Sequence, residues 1–187
     1  MAVDILKVPL ILFGSLMSPV LALGKELGFE VGSEIEASES QWVDVVWFDN
    51  RFDYGPTKAE KWSRVKTRRQ PVFPIVGFEI EASANAKPLK GSVANLNGLG
   101  PQMGVIVLTK ENISKVKKRG EIHRQQSDSE IWDWLIRRTT QWVLEARPTV
   151  RIVVMTEDEV MEWAKYVDSS PEKSRVAQPN NSKPLRP

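Results

Sequence analysis

The chain has 187 residues, 41% hydrophobic and 27% charged, ordinary globular composition with enough length for one domain and a sizeable core. A formal net charge of +2 gives no strong overall field, so an anionic partner must meet local basic clusters. The absence of cysteine removes disulfides, thiolate zinc sites and cysteine nucleophiles, and the single histidine, His123, argues against histidine-rich metal sites and histidine-based triads. Oxygen-ligated cations such as Mg2+ remain, because carboxylates are the plentiful ligands. A cysteine-free chain also suits a reducing, cytoplasmic setting.

Residues 8–24 (VPLILFGSLMSPVLALG) are apolar, but Pro9 and Pro19 interrupt them, Asp4 offsets Lys7 and no small-x-small cleavage site follows. A buried N-terminal segment is therefore expected rather than a signal or a membrane span. Ser18 and Pro19 read as a helix start, the serine capping and the proline in the first turn, with the helix running over 20–27 towards Gly28. Residues 29–38 alternate apolar and acidic positions after Gly32, predicting a half-buried strand with Glu34 and Glu36 on its polar face. Residues 41–48 form the next strand, β-branched and aromatic, with Asp44 as the one charge inside the run VDVVWF, and the two strands can close a hairpin. Between Asp49 and Pro74 a polar stretch carries Lys58, Lys61, Arg64, Lys66, Arg68 and Arg69, with Tyr54 and Trp62 interleaved. Such a cluster is either a solvated loop or helix face, or a nucleic-acid contact.

Residues 74–83 (PIVGFEIEAS) are an apolar strand that ends by presenting Glu79 and Glu81 on one face, roughly 7 Å apart. Over 87–99, Leu89, Val93, Leu96 and Leu99 recur at helical spacing, closed by Gly98, Gly100 and Pro101. Residues 102–109 (QMGVIVLT) read as a buried parallel strand, which completes a strand, helix, strand unit. A second basic cluster follows in 110–124, with Lys110, Lys115, Lys117, Lys118, Arg119 and Arg124 against Glu111 and Glu121. Residues 128–146 predict an amphipathic helix with Ile131, Leu135, Trp142 and Ala146 on one stripe and Arg137 and Arg138 on another. Trp132, Trp134 and Trp142 are most simply packing aromatics. A fifth strand over 149–155 leads to a last helix, capped by the Thr156 and Glu159 box and ending near Val167. Residues 169–187, rich in Pro, Ser, Asn and Lys, read as a disordered tail, leaving 1–168 as one domain. The pentapeptide Glu34-Ile35-Glu36-Ala37-Ser38 recurs as Glu79-Ile80-Glu81-Ala82-Ser83, a shared strand chemistry rather than a repeat architecture.

An acid inside a run such as VDVVWF is costly to bury unless it is paired or metal-bound, and Asp44 and Glu79 fall on adjacent predicted strands. Two or three carboxylates with a backbone carbonyl suffice for Mg2+, which can activate a water and neutralise charge on a phosphate. The plainer alternative for Glu79 and Glu81 is the polar face of an edge strand. A glycosidase pair is disfavoured, because same-strand neighbours do not flank a sugar bond.

These residues resemble the PD-(D/E)XK nuclease superfamily, whose signature is an Asp opening a strand, an acid-x-Lys triplet on the next strand, and then a helix. Asp44 in Trp42-Val43-Asp44-Val45-Val46-Trp47 matches the first acid and Glu79 the second, and the resemblance covers residues 18–109. It implies an α/β fold with a restriction-endonuclease-like αβββαβ core, its mixed central sheet flanked by helices. The implied activity is metal-dependent hydrolysis of DNA phosphodiester bonds, of restriction or repair type, with Mg2+ or Mn2+ on Asp44 and Glu79 and a further glutamate, Glu34 or Glu36, adding a ligand. Two positions depart from the pattern: Glu81 stands where lysine is expected, and Val43 where proline is. Glu81 itself, or Lys87 or Lys90 of the following helix, would then orient the water and steady the phosphate. The clusters Lys58, Lys61, Arg64, Lys66, Arg68, Arg69 and Lys115, Lys117, Lys118, Arg119 would grip duplex or branched DNA, without membrane contact, and a homodimer is the form that would cut both strands. The alternatives are a catalytically inactive nucleic-acid-binding or assembly module on the same fold, and a protein-interaction domain that uses its tryptophans.

Overall fold

In the computed structural model, residues 16–38, 40–49, 73–83, 85–120 and 126–169 are described. The expectations for residues 1–15, for the first basic cluster and for the C-terminal tail lie outside them. Helix α1 (Met17–Glu26) leads into an antiparallel hairpin of β1 (Glu30–Ser38) and β2 (Gln41–Asp49), and β3 (Phe73–Glu81) pairs antiparallel with β2. Helix α2 (Ala86–Leu99) then crosses to β4 (Met103–Leu108), which runs parallel to β3. Helices α3 (Lys110–Arg119) and α4 (Asp128–Glu145) cross to β5 (Arg151–Thr156), parallel to β4, and α5 (Glu157–Ser169) follows. The strands lie side by side in sequence order, giving a mixed five-stranded sheet flanked by helices. Among the described residues no helix is long and apolar enough to cross a membrane.

The strand, helix, strand unit read from the apolar spacing is present as β3, α2 and β4. Its β4 run is buried from Gly104 to Leu108 because side chains on both faces meet helices. On one face Leu89, Val93 and Leu96 of α2, Ile113 and Val116 of α3, and Ile131, Leu135 and Val143 of α4 cover Val46, Ile106 and Leu108. On the other, Leu16, Val20 and Leu23 at α1 and Val160 of α5 cover Val45, Trp47, Val76, Phe78, Val105 and Val107. Trp47 anchors this second core: its ring contacts Phe29, Phe78 and Trp163, and its Nε1 donates to the Val20 carbonyl at 3.1 Å, so the polar end is satisfied.

Gly24 allows that approach. A Cβ there would stand 2.5 Å from Trp47 Nε1 and 2.7 Å from Val31 Cγ1. Gly24→Ala would favour an isolated helix by about 1 kcal/mol, yet here it is expected to destabilise the protein by roughly 1–3 kcal/mol, because the methyl group overpacks the indole. Urea unfolding followed by tryptophan fluorescence tests this; an alanine variant more stable than wild type would show that α1 does not rest on Trp47.

Several local expectations need correction. The cap of α1 is Leu16, without a side-chain hydrogen bond, so Ser18 lies inside the first turn rather than capping it. Gly98 is inside α2, and Gly100 alone ends it, with φ +66° and its N–H on the Leu96 carbonyl. The second basic cluster is partly a helix: the spacing of Ile113 and Val116 seats α3 on the core although its other positions are polar. The Thr156 and Glu159 box is present, with Glu159 N–H donating to Thr156 Oγ1 and Thr156 N–H to Glu159 Oε2. A second box, Ser127 with Glu130, caps α4.

Candidate functional site

Alternation along β3 sends Val76 and Phe78 to the α1 and α5 core and leaves Gly77, Glu79 and Glu81 facing α2. Gly77 has no side chain to hold the helix away. A Cβ on it would be 2.8 Å from Leu96 Cδ2, and one on its β4 partner Gly104 would be 2.8 Å from Leu96 Cδ1. The close seat of α2 brings two of its polar residues onto the strand's acids. Asn95 Nδ2 donates to Glu79 Oε1 at 3.1 Å and to the Trp42 carbonyl at 2.9 Å, and Ser92 Oγ donates to Glu81 Oε1.

Asp44 reaches the same place from β2. The hairpin pairs Ser33 with Val45 and Ile35 with Val43, so Glu34 faces Asp44. Glu34 adopts φ +49°, a conformation most L-residues avoid, and the strand pair changes faces there: Val45 belongs to the α1 core and Val43 to the α2 core. The β2–β3 register, continued one step from Val45 and Phe78, sets Asp44 across from Glu79. Asp44 Oδ2 accepts the Ile80 N–H at 2.6 Å. Three acids thus stand on one line across β1, β2 and β3.

The electrostatics of that line are unfavourable to charge. Burial, then the charge of Asp44, push the Glu79 carboxyl up to about 8; the Asn95 hydrogen bond opposes this and the Glu81 charge adds to it. Burial also raises Asp44, opposed by the Ile80 N–H and reinforced by Glu34, and raises Glu81, opposed by Ser92 and reinforced by Asp44. Lys115 supplies the attractive charge near Glu81. Its Nζ donates to the Ala82 carbonyl at 2.7 Å and pairs with Glu111 at 3.1 Å.

The structure therefore brings together Asp44, Glu79 and Glu81, with exposed Glu34 at their margin. Glu36 is also exposed, paired across the hairpin with Trp42. Lys90 is drawn to Glu145 of α4 at 3.4 Å, and Lys87 is exposed in the first turn of α2. Of the second basic cluster, Lys117 pairs with Asp128 at 2.7 Å, Lys118 is exposed, and Arg119 Nη1 donates to Asn85 Oδ1 at 2.6 Å. Asn112 Nδ2 donates to the Glu81 carbonyl at 2.6 Å. Asn112, Lys115 and Arg119, spaced by three and four, form one row of α3 that ties down the connection after β3. Sequence reading missed Ser92, Asn95 and Asn112; the signal for the first two is a polar pair interleaved with the apolar stripe Leu89, Val93, Leu96.

Among the described residues no group of three or more metal-ligating side chains could hold a metal ion. Asp44 and Glu79 are two oxygen donors, a carboxylate number that suits Mg2+ when water completes its shell. No protein-family model, no curated protein and no solved structure matches the chain.

Proposed function

We propose that the protein is a divalent-metal-dependent endonuclease that hydrolyses DNA phosphodiester bonds on a restriction-endonuclease-like core. The observation that carries this reading is the pairing of Asp44 and Glu79: two acids on adjacent strands, both raised by burial, with the charge of Asp44 adding to the resistance of Glu79 to ionisation. Protein interiors rarely keep such a pair without a cation or a proton to share. The order α1, β1, β2, β3, α2, β4 also has the sequence of elements of the family core, with the two acids on its second and third strands.

Mg2+ or Mn2+ on Asp44 and Glu79 would supply a Lewis acid that activates water and offsets phosphate charge. The chain's own residues hold the acids ready for it: the Ile80 N–H orients Asp44, Asn95 orients Glu79, and Ser92 orients Glu81. Lys115 places a positive charge beside Glu81, where the family pattern has its lysine. The basic clusters would bind the DNA backbone, so affinity should fall steeply with salt.

Supercoiled plasmid tests the assignment. Wild-type protein is expected to nick or linearise it in Mg2+ or Mn2+, and EDTA to stop cleavage. Asp44→Ala should lose more than about a hundredfold in rate, the scale seen when a principal electrostatic group leaves an active site, while still melting cooperatively. An Asp44→Ala protein that cuts as fast as wild type removes the assignment. The second reading is a non-catalytic nucleic-acid-binding module. It is favoured by Glu81 at the lysine position and by the engagement of Lys90 with Glu145. It predicts a salt-dependent gel shift, indifferent to Mg2+, without cleavage.

A further inference from the structure

Helix α4 carries a second built feature, which the carboxylate site does not use. Trp134, Arg138 and Trp142 follow at four-residue spacing, so they form one column on the helix surface. The Arg138 guanidinium carbon lies 4.8 Å from each indole centroid, held between the two rings. Arg137 and Gln141 flank the column, and the five residues line an open notch of about 480 Å3.

Both indoles are half-buried. They pack against the core beneath α4 and also reach the notch, so they are not wholly consumed by packing. None of the five lining residues is acidic. Arg137 Nε donates to the Asp133 carbonyl at 3.2 Å, which fixes its stem while leaving its charge uncancelled by that contact. Glu145, which accepts from Gln141 at 3.3 Å, is itself balanced by Lys90. The notch thus sets two guanidinium groups beside two indoles.

That combination selects among anionic ligands. A free phosphate would use the guanidinium groups and ignore the rings. An acidic peptide would do the same, since carboxylates offer no planar partner to indole. A nucleotide uses both: its base stacks on an aromatic ring, and its phosphate takes the fork of an arginine. The geometry points to a binding site for single-stranded nucleic acid on α4, with bases against Trp134 and Trp142 and phosphates on Arg137 and Arg138. The site stands apart from the proposed metal chemistry, and binding there requires no divalent ion.

The experiment uses the full chain in EDTA, which separates binding from any cleavage, and reads fluorescence anisotropy of a short labelled oligothymidylate. Wild-type protein is expected to bind it roughly tenfold more tightly than an abasic strand of equal length, as stacking of one or two bases provides. The double variant Arg137→Gln, Arg138→Gln changes two exposed side chains. It should lose about tenfold in affinity, and its log–log salt slope should shrink by about 1.4, two phosphates at about 0.7 each. The proposal is overturned by undetectable binding, by equal affinity for the abasic strand, by an unchanged double variant that melts like wild type, or by a polyglutamate peptide that displaces the oligonucleotide at equal charge. Failure here would leave Mg2+-dependent plasmid cleavage untouched, and failure of cleavage would leave this binding measurable.

Discussion

Glu79→Gln is expected to make the metal-free protein more stable than wild type at pH 8 and to flatten the pH dependence of its stability. The folded Glu79 carboxyl holds its proton up to about 8, whereas the unfolded side chain releases it near 4.5. Between those values the native state binds more protons than the unfolded state, so wild-type stability must fall as pH rises through the window. The limiting slope from one such group is about 1.4 kcal/mol per pH unit. Glutamine keeps an oxygen for the Asn95 donor but cannot ionise, so that contribution disappears; a gain on the order of 2–3 kcal/mol at pH 8 is expected. Asp44 and Glu81, also raised, act in the same direction at the acidic end of the window and remain in the variant, so its slope shrinks without vanishing. A bound divalent cation works the other way, because it favours the ionised acids. Millimolar Mg2+ should therefore stabilise wild type at pH 8 by about 1–2 kcal/mol if it is present at several times its dissociation constant, and Glu79→Gln should lose most of that gain. Urea unfolding in EDTA and in Mg2+, at pH 5, 6.5 and 8, reads all of this. A wild-type protein equally stable across that range would mean that Glu79 is ionised in the fold and the site is solvated.

The repeated pentapeptide shows how far the letters reach. Glu34-Ile35-Glu36-Ala37-Ser38 and Glu79-Ile80-Glu81-Ala82-Ser83 are both read as strand ends, and the glutamates of both lie in strands. Their glutamates nevertheless differ: Glu34 and Glu36 are exposed, while Glu79 is only 6% exposed. The difference is one of neighbours. Among the described strands β1 pairs only with β2, whereas β3 lies between β2 and β4 and beneath α2. Local sequence sets the alternation, and the position in the sheet sets what each face meets. The run VDVVWF made the unusual setting of Asp44 legible, because an acid among such residues must be satisfied somehow. The way β1 meets it was not legible, because Glu34 opposite takes a left-handed backbone that no turn motif announces for a non-glycine residue. Helix α3 was hidden by its charges, and the engagement of Lys90 by Glu145 arises only from the packing of α2 on α4.

Leu96→Ala should be among the most destabilising single truncations in the core, by about 4–5 kcal/mol, near the top of the range for buried leucine. Leu96 is wholly buried, and its two methyl groups fill the space above Gly77 and Gly104. Truncation would open a cavity whose floor is the backbone of two paired strands. Neither glycine has a side chain that could move in, and a hydrogen-bonded sheet cannot fold inward to fill it. The neighbouring Leu99 is only half-buried, so Leu99→Ala should cost much less. Asn95, the donor to Glu79, precedes Leu96, so loosening this seat should also weaken the carboxylate site. The same geometry gives a direct check. Gly77→Ala alone puts a methyl 2.8 Å from Leu96 Cδ2 and should destabilise, but in the Leu96→Ala background that methyl enters the vacated space. The two substitutions should then be non-additive, with the double variant more stable than the sum predicts by about 1–3 kcal/mol. Additive losses in a urea-denaturation cycle would mean that Leu96 does not rest on Gly77, and with it would go the account of how α2 is brought close enough to place Ser92 and Asn95 on the acids.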